Sequence, residues 1–117
     1  MEAEDDCLFC GIVAGRIPAE LVFEGEDVIA FRDINAQAPF HALIIPKRHI
    51  ATTNDLTPAD RALIGELMTT AAAIAAREGF AEAGYRTIMN CNADGGQTIF
   101  HIHLHLLGGR PMGGSGL

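Results

Sequence analysis

Residues 96–107 read Gly-Gln-Thr-Ile-Phe-His-Ile-His-Leu-His-Leu-Leu, and their alternation constrains the fold more than any other stretch. Successive side chains on a β-strand point to opposite faces, so strict alternation of this length predicts a strand with one face in a core. Phe100, Ile102, Leu104 and Leu106 then face the core, while Ile99, His101, His103 and His105 line the other face. Three of the five histidines of the chain stand in that row. Imidazole is costly to bury unpaired, so three on so apolar a strand need partners or a task.

Three explanations compete. The histidines could be polar residues on a solvated sheet face, but histidine is uncommon in strands. They could hold a catalytic metal, since zinc hydrolases use three protein ligands and a water. Against that, His101 and His105 lie about 13 Å apart on an extended strand, and no glycine between them permits a sharp bend. The third explanation is nucleophilic catalysis. A neutral imidazole attacks phosphorus well, a second can protonate a leaving group, and a third can fix the tautomer of the first. The turn Asp94-Gly95-Gly96 just before the row could offer backbone N–H groups to an anion.

The flanking pattern places this strand in an α+β fold. Residues 7–15 carry Leu8, Phe9, Ile12 and Val13 at helical spacing and end on Gly15, a short helix. Leu21–Glu24 and Val28–Arg32 read as two strands of a hairpin, and residues 33–39 as a loop. Residues 41–46 form a third strand, stopped by Pro46. Thr57 as N-cap, Pro58 at the first helical position and Asp60 in the first turn open one long helix. Leu63, Ile64, Leu67, Met68, Ala71, Ile74 and Ala75 form its apolar stripe, and Gly79 ends it. Residues 85–90 are a fourth strand and the histidine row is the fifth. The expected architecture is a mostly antiparallel five-stranded sheet with one long helix and a short N-terminal helix. One domain spans residues 1–117, with an acidic arm at 1–6 and a Gly-rich tail at 108–117. So small a sheet has edges to cover, and a homodimer is one way to cover them.

Composition excludes several functions. Apolar residues make up 49%, too many for a disordered chain. A formal charge of −7 without a basic run argues against tracking a nucleic-acid backbone, although a single nucleotide can still be bound locally. The start Met1-Glu-Ala-Glu-Asp-Asp6 lacks the basic and apolar regions of a secretory signal, and no apolar run is long enough to span a bilayer. The expected location is cytoplasmic, a reducing compartment where disulfides are rare. That bears on Cys7, Cys10 and Cys91. Cys7-x-x-Cys10 alone suits a metal, a redox pair or inert buried thiols, and Cys91 reads as a small core residue.

His101-Ile-His103-Leu-His105-Leu-Leu, following Gly95-Gly96-Gln97-Thr98, resembles the signature of the histidine triad family. It is most similar to the Hint-like branch of nucleoside phosphoramidate hydrolases. The resemblance extends through Ile17-Pro18-Ala19, Phe31-Arg32-Asp33-Ile34, Gln37-Ala38-Pro39, His41, Ile45-Pro46-Lys47-Arg48-His49, Gly84-Tyr85-Arg86 and Gly108-Gly109-Arg110-Pro111. It covers nearly all of the chain after residue 6. It implies hydrolysis of the P–N bond in a purine nucleoside 5′-phosphoramidate, through a nucleotidyl intermediate on His103. His105 would contact the phosphate and His41 would complete the set of imidazoles. Asp33 would hold the ribose hydroxyls, although an Asp there could equally cap the following loop. Phe9, Ile12, Phe31 and Ile34 would wall the base. Asn90, Gly96, Gln97 and Thr98 would surround the α-phosphate, though Asn90 alone could be a turn former.

Some members of the wider superfamily hold a structural zinc through a matching Cys-x-x-Cys, a downstream histidine and the first histidine of the triad. The resemblance assigns these places to Cys7, Cys10, His49 and His101, with no catalytic metal. The other functions it allows are dinucleoside polyphosphate hydrolysis and a nucleotide-binding regulatory module. Hint-like chains commonly continue past Gly-Gly-Arg-Pro with a Trp-Pro-Pro-Gly-like segment that shapes the partner subunit's site. This chain has Met112-Gly-Gly-Ser-Gly-Leu117 there and no Trp.

Overall fold

Strands β2 (Val28–Arg32) and β3 (Phe40–Pro46) are apolar on both faces, and this decides the layering. Alternate residues of the two strands divide between two clusters. Val28, Ala30, Ala42 and Ile44 pack with Leu67, Ala71, Ile74 and Ala75 of helix α2 (Arg61–Glu78). Ile29, Phe31, Leu43 and Ile45 pack on the opposite face with Cys7 and Phe9, at the start of helix α1 (Leu8–Val13). A strand covered on both faces needs no polar side, so its sequence reads as a continuous apolar run.

These coordinates are a computed structural model that describes residues 6–113. Most of the acidic arm and the last four residues of the Gly-rich tail lie outside the described residues. The sheet is completed by β1 (Leu21–Glu24), β4 (Arg86–Ile88) and β5 (Leu104–Gly108). Its order is β1-β2-β3-β5-β4 and every pairing is antiparallel. The expected α+β sheet of five strands, with a long helix and a short one, is therefore what the chain forms. Among the described residues no helix is long and apolar enough to cross a membrane.

Four local expectations need correction. The histidine strand is shorter than its alternation suggests, because regular pairing begins only at Leu104. The β3–β5 register would set Pro46 opposite Ile102. Proline has no N–H for a ladder, and Ile102 N–H donates instead to Ile50 O at 2.8 Å. Alternation survives without the ladder: Ile102 joins the α2-side core, whereas His101 and His103 are buried on the other side. The long helix also starts later than expected. Thr57 caps a 3-10 turn, Pro58–Asp60, in a reciprocal capping box with Asp60, and α2 follows at Arg61. Met68, assigned to the apolar stripe, is exposed. The fourth strand spans only three residues, since Asn90 would lie opposite His103, beyond the ladder. Gly79 ends α2 in the left-handed region, as its sequence position suggests.

Candidate functional site

A cavity of about 650 Å³ opens on the α1 side of the sheet. Phe9 and Ile12 reach it from α1, Phe31 from β2, His41 from β3 and His105 from β5. Asp33, Ile34, Asn90, Gly96, Thr98 and His103 reach it from loops. Of the residues expected around a nucleotide, only Gln97 does not line it. The Gln97 side chain is buried, accepts from Asn92 N–H at 2.8 Å, and donates to Ala51 O at 2.8 Å and Ile99 O at 3.0 Å. These bonds hold the loop in shape and leave Gln97 to act through its neighbours. Gly96 turns the chain there at a φ of 85°, in the left-handed region that glycine adopts without strain.

Backbone partners set the proton on His41 and His103, and His41 passes the choice on to His105. Gln37 N–H donates to His41 Nδ1 at 3.0 Å, so the proton of neutral His41 sits on Nε2. His41 Nε2–H then donates to His105 Nδ1 at 2.9 Å, which puts the His105 proton on its own Nε2. His103 Nδ1–H donates to the carbonyl of His101 at 2.8 Å, leaving Nε2 with its lone pair. The rings of His103 and His105 meet edge to face with centroids 5.1 Å apart. The result is a lone pair on His103 Nε2 beside an N–H on His105 Nε2. The first can attack an electrophile and the second can donate a hydrogen bond.

Burial keeps all three rings neutral. His41 is held below the usual histidine range by desolvation, partly opposed by Asp33. His103 is lowered by desolvation, against the opposing pull of its bond to the His101 carbonyl and of Asp33. His105 is pushed down to about 4, first by desolvation and then by the neighbouring His103 and His41. A neutral ring on His103 is what a nucleophile requires.

Asp33 divides its oxygens. Oδ1 accepts from Asn35 N–H at 2.9 Å, the loop-capping role open to any Asp at such a turn. Oδ2 lies 3.4 Å from His41 Nε2 and is the oxygen left to take a ligand hydroxyl in the cavity. Ile34, also at the cavity, is 96% exposed, an apolar side chain left open to solvent among the described residues. Phe9 packs edge-on to Phe31 at 5.3 Å and to His103 at 5.2 Å between ring centroids, so α1 bears directly on the His103 ring.

The second cluster joins Cys7, Cys10, His49 and His101, whose ligand atoms all lie within 4.8 Å of one another. Cys7 Sγ is 3.3 Å from His101 Nδ1, Cys10 Sγ is 3.2 Å from His49 Nδ1, and the two Nδ1 atoms are 3.3 Å apart. His101 is fully buried and its Nε2–H donates to Pro46 O at 2.8 Å, so its Nδ1 presents a lone pair to the cluster. His49 Nε2 has no partner among the described residues, and the polar contacts of this ring are made at Nδ1 inside the cluster. Two thiols and two imidazoles converging at these separations can hold a metal ion.

Leu8, Ile17, Pro18 and Leu43 also line the cavity and are not among the residues the sequence assigns to the site. Leu43 was findable, because two residues beyond His41 on a strand it must share that face. The carbonyls of His101 and Pro46 and the N–H of Gln37 leave no sequence signal at all.

A model of the HIT domain matches residues 14–112. The purine nucleoside phosphoramidase of Escherichia coli strain K12 is 50% identical over 109 residues, 93% of this chain and 92% of that protein. Among solved structures, a HIT family hydrolase from Legionella pneumophila superposes with a TM-score of 0.90 at 54% identity, covering 92% of this chain and 96% of that one. A HIT family hydrolase from Clostridium thermocellum gives 0.93 at 43% identity, covering 97% and 98%.

Proposed function

The chain belongs to the HIT domain family, and on that premise we propose that it is a purine nucleoside phosphoramidase working through a nucleotidyl intermediate on His103. The observation that carries the reading is the pair of bonds that bare His103 Nε2 and place the proton of His105 on Nε2. The half-identical phosphoramidase relative supports the choice of substrate bond.

In this reading the purine lies between Phe9, Ile12, Phe31 and Ile34, and Asp33 Oδ2 accepts from the ribose hydroxyls. Asn90, Thr98 and the Gly96 backbone surround the α-phosphate. His103 Nε2 attacks phosphorus, forming an N–P bond while the P–N bond to the leaving amine breaks. The departing nitrogen accepts a hydrogen bond from His105 Nε2–H and leaves as an amine with a proton taken up from solvent, while phospho-His103 becomes a cation. The Nδ1–H bond to the His101 carbonyl steadies that cation. Water then attacks phosphorus, gives up a proton to solvent and displaces His103, releasing the nucleoside monophosphate. No metal is needed in these steps.

Cys7, Cys10, His49 and His101 would hold a structural zinc. The donor set fits: two soft thiolates and two nitrogen lone pairs, with His101 braced from behind by a carbonyl. The ion would tie α1, and with it Phe9, to β3 and the triad segment. A homodimer in a cytoplasmic setting completes the reading, since β1 and β4 leave two sheet edges to cover.

The test is AMP release from adenosine 5′-phosphoramidate beside cleavage of a diadenosine polyphosphate. Quenching in alkali, where phosphohistidine survives, should trap an adenylyl group on His103. Preferred cleavage of the dinucleotide would replace the substrate assignment. Turnover without any trappable adduct under single-turnover conditions would remove the covalent intermediate.

A further inference from the structure

Loop 33–39 is braced by a run of polar contacts that ends outside the cavity. Asp33 Oδ1 accepts from Asn35 N–H, Asn35 O accepts from the Gln37 side-chain amide at 2.9 Å, and Gln37 N–H donates to His41 Nδ1. The next group along, the Gln37 carbonyl, accepts from Arg110 Nη2 at 2.8 Å. Arg110 follows the end of β5, five residues beyond His105, and does not line the cavity. Gly109 lets the chain reach that point. Its φ is 98°, and an added Cβ would stand 3.0 Å from Pro39 Cβ, so the tail lies flat against the loop.

The Gln37 N–H sets the polarity of everything downstream. Held on His41 Nδ1, it makes Nε2 the protonated nitrogen of His41, and His105 must then carry its proton on Nε2, toward the phosphate. Were that N–H to swing away, His41 could take its proton on Nδ1. Its bare Nε2 would then draw the His105 proton to Nδ1. His105 would turn a lone pair to the phosphate, which repels an anion and offers no N–H to a leaving amine. The loop that carries Gln37 is largely exposed, so water competes for its peptide groups. The Arg110 guanidinium is a charged donor that fixes the carbonyl of the same residue.

We propose that Arg110 is a positioning residue: it pins Gln37 so that His41 keeps the Nε2–H tautomer and His105 keeps its Nε2 proton facing the phosphate. This rests on the phosphoramidase reading for its kinetic consequence and on geometry alone for its tautomeric one.

The experiment compares wild type, Arg110→Ala, Arg110→Gln and Arg110→Lys by steady-state kinetics and by imidazole 15N spectra of the empty proteins, with His41 assigned from a His41→Asn spectrum. In wild type His41 should show one bare nitrogen, Nδ1, and one protonated nitrogen, Nε2. In Arg110→Ala the two signals should draw together as tautomers mix, and kcat should fall about tenfold with KM changed less than about twofold. Arg110→Lys, which keeps a cationic donor, should recover part of both effects, and Arg110→Gln should recover less. Unchanged His41 nitrogen signals in Arg110→Ala would overturn the proposal, whatever the rate does. So would equal losses in the Lys and Ala variants. A wild type that does not turn over phosphoramidate would sink the functional reading, while the nitrogen spectra would still decide the role of Arg110.

Discussion

Two clusters of nearly the same side chains lie on the same face of the sheet and do opposite things with their protons. In one, Cys7, Cys10, His49 and His101 bring ligand atoms within 4.8 Å of one another, and in the other Asp33, His41 and His105 do the same. The difference lies in the backbone behind each ring. A carbonyl, Pro46 O, holds the far nitrogen of His101, so a lone pair points into its cluster. An N–H, that of Gln37, holds the far nitrogen of His41, so a proton points into the other. Converging lone pairs suit a cation, whereas a line of N–H donors suits proton handling and an anionic ligand. His101 and His103 are two residues apart and fall on either side of this division. The carbonyl of the first orients the ring of the second.

The largest effect comes from breaking the catalytic side alone. His103→Ala should lower AMP release by about 10⁴-fold or more, with AMP binding by calorimetry kept and bound metal unchanged. Loss of metal in this variant would show that the two clusters are not separable. Breaking the other side should act on stability first. Cys10→Ala should abolish zinc binding and lower Tm by about 10 °C or more, as should a strong chelator on wild type. Brief chelation without unfolding should leave turnover in place. Wild-type protein prepared without chelator that carries less than about a tenth of an equivalent of zinc would remove the ion from this comparison.

Acid should sharpen the contrast next. Burial holds folded His41 below 6.5, and His105 falls to about 4. Between pH 6.5 and 4 the unfolded chain therefore binds more protons than the folded one, and stability rises with pH through that window. Tm should fall as pH drops from 7 to 5, and His105→Gln should show a shallower slope. An identical slope in both proteins would assign the acid loss to groups other than His105. The smallest effect belongs to Ile34→Ala. At 96% exposure the side chain supports no core, so Tm should stay within about 2 °C. KM for the purine substrate should nonetheless rise about threefold, through lost contact with the base.

Much of this was legible in order along the chain. The hairpin, the buried third strand, the long helix and its Gly79 end follow from periodicity and turn chemistry, which are local. The residues expected around the cavity, Gln97 excepted, do come together there. Gln97 stands apart because its side-chain amide is bonded to the backbone around it. Whether its two ends are already taken depends on Ala51, which lies 46 residues away. The histidine strand read too long for a similar reason. Alternation records which side is buried, while the ladder depends on a partner, and the partner there is Pro46.

By itself the sequence determined the side chains of the site and the faces they occupy, because a period of two on a strand is a property of consecutive residues. It also determined the family, through motifs spread over most of the chain. Only the tertiary structure decided the direction of each proton. That choice is made by backbone groups at Gln37, Pro46 and His101, which every residue type possesses and no sequence pattern marks. What distinguishes them is where the folded chain aims them.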